Sequence, residues 1–258
     1  MSTVRELSDP IDIYYKKILE LYNLVLEKER TKIEAAAEVI TERITKDDGL
    51  LYVLGSGHSM LIAQEMFARA GGLMQVNAIL DPALSTIFQA KALKVERLEG
   101  YAKIVLEYYG LTKNDVLLVV SVSGINAVPV EAAIEAKKLG AYVIALTSVE
   151  WSKNVPQEMV NKRNIFGKRL FEVADLYIDN HVPFGDAVVK IDNYTKPVAP
   201  VSTLVNSFIV NLIVAKVAQN CASKGIPPPV WASSNVPGGD KTDAPFVEKY
   251  RFSRVKHF

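Results

Sequence analysis

A single cysteine, Cys221, occurs among 258 residues, so an internal disulfide is excluded and a reducing cytoplasm is the expected compartment. Histidine is nearly as scarce. His58, His181 and His257 show no ligand spacing with one another or with Cys221, which argues against a metal site. Neither sign of charge is in excess: 30 basic residues face 29 acidic ones, a formal net charge of +1, too small a field to recruit nucleic acid or an acidic membrane. No apolar run approaches the roughly 18 residues of a membrane span, and Met1–Glu6 lacks the apolar core of a signal peptide. The sequence also lacks the G-K-[ST] triplet of a phosphate-binding P-loop and any G-x-S-x-G elbow. These gaps leave a small molecule as the expected partner.

What is present is a large apolar fraction, 49% of residues, enough to bury a full core in one domain with attachments. Residues 9–46 read as helical: Asp9-Pro10 is a cap followed by a first-turn proline, and apolar residues recur at helical spacing from Ile18 to Val25 and from Ile33 to Ile44. The charged stretch Glu27–Lys32 marks a bend between two helices. Strands follow near 50–54, 74–79, 116–120, 141–147 and 175–179, separated by helical patterns near 59–70, 91–109 and 127–139. The strands are continuous apolar runs, as in a parallel sheet covered on both faces, so the class is α/β and doubly wound. The stretch Trp151–Arg169, with five basic residues, reads as a mobile surface loop in preference to a lid over an anion. A long apolar helix spans about 202–222 and an extended tail completes the chain. The divisions are a helical arm over 1–48, a binding domain over 49–225 and the tail over 226–258.

Two segments carry the chemistry. Gly55-Ser56-Gly57-His58-Ser59 follows the first apolar strand, and Ser121-Val122-Ser123-Gly124-Ile125-Asn126 follows the third. Each reads as strand, hydroxyl-rich turn, then helix, which aims free N–H groups and serine oxygens at the positive end of a helix dipole, a receptor for a phosphate-sized anion. Simple helix capping by the same serines is the alternative. A dinucleotide fingerprint fails because Met60 stands where its third glycine belongs; no cofactor is expected.

The two loops resemble the signature loops of the sugar isomerase (SIS) domain, the phosphosugar-binding module of phosphoheptose isomerases, glucosamine-6-phosphate synthase and N-acetylmuramic acid 6-phosphate etherase. Together with Glu65–Gly72, Glu96–Tyr101, Pro183–Ala187 and Asn235–Asp240, they are similar over nearly the whole chain to a SIS-domain family of about this length. The resemblance implies a flavodoxin-like, five-stranded parallel sheet with both loops on one crevice. It implies a phosphorylated sugar held by Gly55, Ser56, Gly57, His58, Ser59, Ser121, Ser123, Gly124 and Asn126, with Ser202 and Thr203 as a further hydroxyl cluster. It also implies a homodimer or homotetramer, since SIS sites lie at subunit interfaces.

Moving a carbonyl between C1 and C2 of such a sugar needs a base for the proton next to the carbonyl. The candidates are Glu65, Glu99 and His181, with His58 inside the first loop. Glu65 has Arg69 four residues on, where a surface ion pair is the plainer reading, and Glu99 stands beside Arg97 on a solvated helix face. Etherase chemistry is disfavoured because Arg69 occupies the place of the acidic residue that etherases carry. A DNA-linked sensor is disfavoured because the arm lacks a basic recognition helix. The expectation is an aldose-ketose phosphosugar isomerase, with a non-catalytic sugar-phosphate binder as the alternative.

Overall fold

The computed structural model describes residues 9–46, 48–250 and 254–257; the start of the expected arm, residues 1–8, lies outside them. Asp9 caps the first helix by accepting from the Ile11 N–H at 2.8 Å, and Pro10 supplies the first-turn φ. Helix α1 (Pro10–Lys28) ends at Glu29, and α2 (Arg30–Lys46) continues beyond the bend. Strand β1 (Leu51–Gly55) leads to α3 (Met60–Met66), and β2 (Val76–Ile79) to α4 (Gln89–Val95) and α5 (Tyr101–Tyr109). Then come β3 (Val116–Val120), α6 (Ala127–Lys138), β4 (Tyr142–Thr147), α7 (Val149–Asn154), α8 (Gln157–Arg163), α9 (Leu170–Val173) and β5 (Leu176–Asp179). An antiparallel hairpin, β6 (Ala187–Val189) and β7 (Val198–Pro200), precedes α10 (Ser202–Ser223) and α11 (Gly239–Tyr250).

Strands β1 to β5 form one parallel sheet in the order β2-β1-β3-β4-β5. Alternate residues of each strand enter opposite layers, which explains the unbroken apolar runs. Leu51, Val53, Leu118, Ile144 and Leu146 pack with α2, α3 and α10, while Leu50, Tyr52, Leu117, Val119 and Val143 pack with α5 and α6. Helix α10 is long and apolar enough to cross a membrane by length and composition, and it is a core helix here, burying Val205, Ile209, Val210, Ile213 and Val217.

Three expectations are corrected. The segment 151–169 is a packed helical element: Val155 and Val160 are buried with Ile125, and the Asn164 side-chain amide donates to the Ile125 carbonyl at 2.8 Å. The helix expected over 91–109 is two helices, broken at Glu96–Gly100, where Gly100 takes φ 80°. The tail is not extended throughout. It contains α11, whose Phe246 ring meets Trp231 edge-on at 5.3 Å, and it covers the edge strand β2, where the Asn77 amide donates to the Arg254 carbonyl and Arg254 pairs with buried Asp115.

Candidate functional site

The order β2-β1-β3 means that the chain leaves β1 to one side and returns through β3 on the other, so the crevice of a doubly wound sheet opens between their carboxyl ends. Gly55 pairs with Val120 across those two strands, so the loops that follow are neighbours.

The first loop folds back tightly. A Cβ on Gly55 would lie 2.4 Å from the Ser59 carbonyl group, so only glycine fits, and Gly57 takes φ 58° in the 3-10 turn Gly57–Ser59 that opens α3. Ser56 and Ser59 are half-buried and His58 is exposed. In the second loop Gly124 has φ 60° and a Cβ there would strike the Thr147 hydroxyl at 2.8 Å; its carbonyl accepts from the Leu170 N–H at 2.8 Å. Ser121 is buried and its hydroxyl accepts from the Gly124 N–H at 3.3 Å. Ser123 and Asn126 are half-buried.

Capping does not account for these residues. Ser56 before the 3-10 turn, Ser59 before α3 and Asn126 before α6 all stand at cap positions, yet none of their side chains makes a cap hydrogen bond. Ser59 and Asn126 are thus left without a cap hydrogen bond at the two loops, the arrangement an anion would use.

A carboxylate missed in the sequence joins the loops. The Ser56 hydroxyl donates to Glu96 Oε2 at 2.9 Å, while the Glu96 carbonyl accepts from the Val128 N–H at the start of α6 at 3.0 Å. Burial pushes the Glu96 carboxyl above the usual range, and the Ser56 hydrogen bond and the charges of Arg97 and Arg163 only partly offset it. Arg163 closes α8, next to the Asn164 that is tied to the second loop. The available signal was Gly100: a glycine inside a helical pattern marks a break, and the break turns Glu96 inward.

The other candidates have partners elsewhere. Glu65 pairs with Arg69 and accepts from the Asn211 amide of α10 at 3.0 Å. Glu99 is exposed. His181 follows β5, at the sheet's far edge from β1, where its Nε2 lies 3.2 Å from Glu29 Oε1. Ser202 donates to Asp186 at 2.7 Å, and Asp186 also accepts from the Val201 and Ser202 N–H groups, so the opening of α10 is filled; Thr203 beside it is half-buried. Among the described residues no group of three or more His, Cys, Asp or Glu is placed to hold a metal ion.

Fold and crevice thus define a doubly wound α/β protein with paired hydroxyl-rich loops at its switch point. The chain belongs to the SIS domain family, whose model matches residues 13–148. A UPF0309 protein of Geobacillus thermodenitrificans is 37% identical over 242 residues, covering 93% of this chain and 95% of the relative. One of Oceanobacillus iheyensis is 40% identical over 240 residues, covering 92% and 95%. Among solved structures, a phosphoheptose isomerase from Francisella tularensis shares the fold with a TM-score of 0.53 at 20% identity, covering 81% of this chain and 96% of that one. A phosphoheptose isomerase from Neisseria gonorrhoeae does so at 0.51 and 17%, covering 83% and 97%.

Proposed function

We propose that this chain binds a sugar phosphate between the two serine loops and interconverts its aldose and ketose forms. The observation that carries the reading is the bridge of Glu96 across loops whose cap residues, Ser59 and Asn126, make no side-chain cap hydrogen bond. The phosphate is held by the Ser59 and Ser123 hydroxyls, the Asn126 amide and backbone N–H groups of the two loops. Ser56 is turned toward Glu96 and Ser121 toward Gly124, so both shape the loops more than they hold the ligand. Glu96 is the group suited to proton transfer: it takes the proton from C2 as the electron pair forms the C1=C2 bond and the carbonyl oxygen at C1 gains a proton from solvent, giving the enediol. The C2 hydroxyl then returns a proton to solvent as its oxygen becomes the new carbonyl, and Glu96 delivers its proton to C1. A raised proton affinity fits that return step.

The experiment has two stages. A thermal-shift screen over sugar phosphates identifies ligands, since one present at 100 times its Kd stabilises the fold by roughly 2.7 kcal/mol. Each hit is then incubated in deuterated water. Exchange of the C2 proton supports isomerisation. Binding without exchange in every hit leaves a non-catalytic binder, a reading favoured by the engagement of Glu65 and His181 in ion pairs outside the loops.

Self-association belongs to the same proposal. Ile11, Tyr15 and Leu19 form an exposed stripe on α1, 78%, 63% and 42% accessible, at the i, i+4, i+8 spacing of one helix face. A dimer or tetramer covers it. A monomeric mass by light scattering at micromolar concentration would overturn that part.

A further inference from the structure

The turn that carries Glu96 has no cap of its own. Gly100 stands at the N-cap of α5 in the left-handed region and has no side chain to receive the first N–H groups of that helix. The acceptor comes from another element. Glu131, in the middle of α6, takes the Gly100 N–H on Oε1 at 2.9 Å and the Ala102 N–H on Oε2 at 3.3 Å.

Glu131 is 5% exposed, and it sits among Val128, Val130, Ala132 and Ala133, all of them buried on α6. A carboxylate in such surroundings is costly unless its oxygens are used. The neighbouring charges that reach it, Glu99 and Glu135, are of the same sign and add to the cost. A serine at position 100 could cap α5 locally; a buried glutamate on a different helix does something that a local cap cannot. It ties the turn 96–100 to α6, the helix that the second serine loop launches. The bond from the Val128 N–H to the Glu96 carbonyl ties the same turn at its other end. With Ser56 bonded to the Glu96 carboxylate, a closed chain of contacts runs from the first loop through Glu96, the turn and Glu131 to the second loop.

We propose that Glu131 is a positioning residue that holds the Glu96 turn on α6 and thereby keeps the Glu96 carboxyl at the mouth of the two serine loops. The inference rests on the assignment of Glu96 to proton transfer, and its test is separable from that assignment. Glu131→Gln keeps the volume but turns one amide N–H toward a backbone N–H, so one of the two anchors is lost. In the folded variant the Glu96 carboxyl, followed by carbon-13 NMR titration, moves down toward the ordinary glutamate value as the released turn gains solvent, while affinity for inorganic phosphate stays within about twofold of the parent. Adding Gly100→Asn, which supplies a local cap and no bond to α6, leaves the Glu96 titration lowered. Asparagine tolerates a left-handed backbone and can cap locally, and a Cβ at position 100 meets nothing within 4 Å.

An unchanged Glu96 titration in folded Glu131→Gln overturns the proposal, as does a shift that the local cap of Gly100→Asn reverses. Should the single variant not fold, amide hydrogen exchange of the parent protein decides: protection of the Gly100 and Ala102 amides that is lost on acid titration of Glu131 supports the anchor, and exchange at the rate of free coil refutes it. Absence of C2 exchange with every sugar phosphate would sink the isomerase reading and leave these readouts standing.

Discussion

Glu29 and Glu96 are both glutamates withdrawn from solvent at the carboxyl ends of the strands, one beyond β5 and the other beyond β1, and their surroundings drive them in opposite directions. Glu29, at the bend between α1 and α2, is 4% exposed. Burial opposes its charge, but His181, Lys32 and the Asp179 N–H all bond to it, at 3.2, 2.9 and 3.1 Å, and together they hold its carboxyl below the usual range. Glu96 has burial against it and one hydroxyl for it, and its carboxyl is held above that range. The depth of a carboxylate does not decide its role; the number of donors does. A saturated carboxylate fastens helix to strand, and one left short of donors binds a proton more readily than an ordinary glutamate.

The largest expected effect breaks the comparison on the crevice side. Glu96→Gln keeps the shape and removes the base, so deuterium exchange at C2 of a bound sugar phosphate should fall by about 10²–10⁴-fold, with little change in the denaturation midpoint. Exchange at the parent rate would move the chemistry to another group. On the other side, Glu29→Ala should cost about 3–5 kcal/mol in chemical denaturation, because a buried pair that loses one member leaves the other uncompensated. Affinity for inorganic phosphate should not change. A small stability loss coupled with weakened phosphate binding would mean that the bend and the crevice are one site.

Those two glutamates also mark where the sequence was legible. Continuous apolar runs at Leu51–Leu54 and Val116–Val120 can satisfy only a two-faced parallel sheet, and glycine followed by hydroxyls after each run announces the loops; both follow from local pattern. The bend at Glu27–Lys32 was visible as charge, but that Glu29 would meet His181 from 152 positions away is a property of the packed sheet. Glu96 was hidden for a nearer reason. Apolar spacing runs on through Val95, Leu98, Ala102 and Val105, so one helix over 91–109 satisfies the period and puts Glu99 forward. The break at Gly100 shifts the frame, leaves Glu99 in solvent and rotates Glu96 inward. Helix α11 escaped because Gly239 and Pro245 argue against helix locally, and its support comes from Phe246 on Trp231 and from Asp243, which accepts from the Ala232 N–H.

A smaller effect separates the two serines of the second loop, which look equivalent in sequence. Ser123→Ala should weaken phosphate or sugar-phosphate binding by roughly ten- to a hundredfold, the value of one hydroxyl bond to a charged oxygen, with the fold unaffected. Ser121→Ala should instead lower stability by about 1 kcal/mol, since its oxygen already accepts from the Gly124 N–H. Isothermal titration and denaturation on the same two proteins test the difference, and equal losses of affinity would place both hydroxyls on the anion.

The smallest effect is the pH response of the Glu29 bend. The hydrogen bond that the protonated His181 ring donates to Glu29 lifts the His181 pKa above its ordinary 6.5, against the opposing effect of burial and with further help from Asp179. A group raised in the folded state contributes stability that is complete below 6.5 and lost as pH rises through the folded value. Glu29 runs the other way: lowered from 4.5, it contributes stability that is complete above 4.5 and lost as pH falls through its folded value. Both contributions are present together only between these two ordinary values, so the melting temperature attributable to the bend should be greatest in mildly acidic solution and decline above pH 6.5. His181→Gln removes the histidine half of the response and should flatten the decline on the alkaline side. Glu96 sharpens the contrast with Glu29, because its raised pKa adds stability only when it is protonated. Glu96→Gln should therefore make stability less dependent on pH near and above the ordinary glutamate value, leaving the His181 decline in place. A Glu96→Gln protein that lost the alkaline decline would show that the bend and the crevice titrate as one unit.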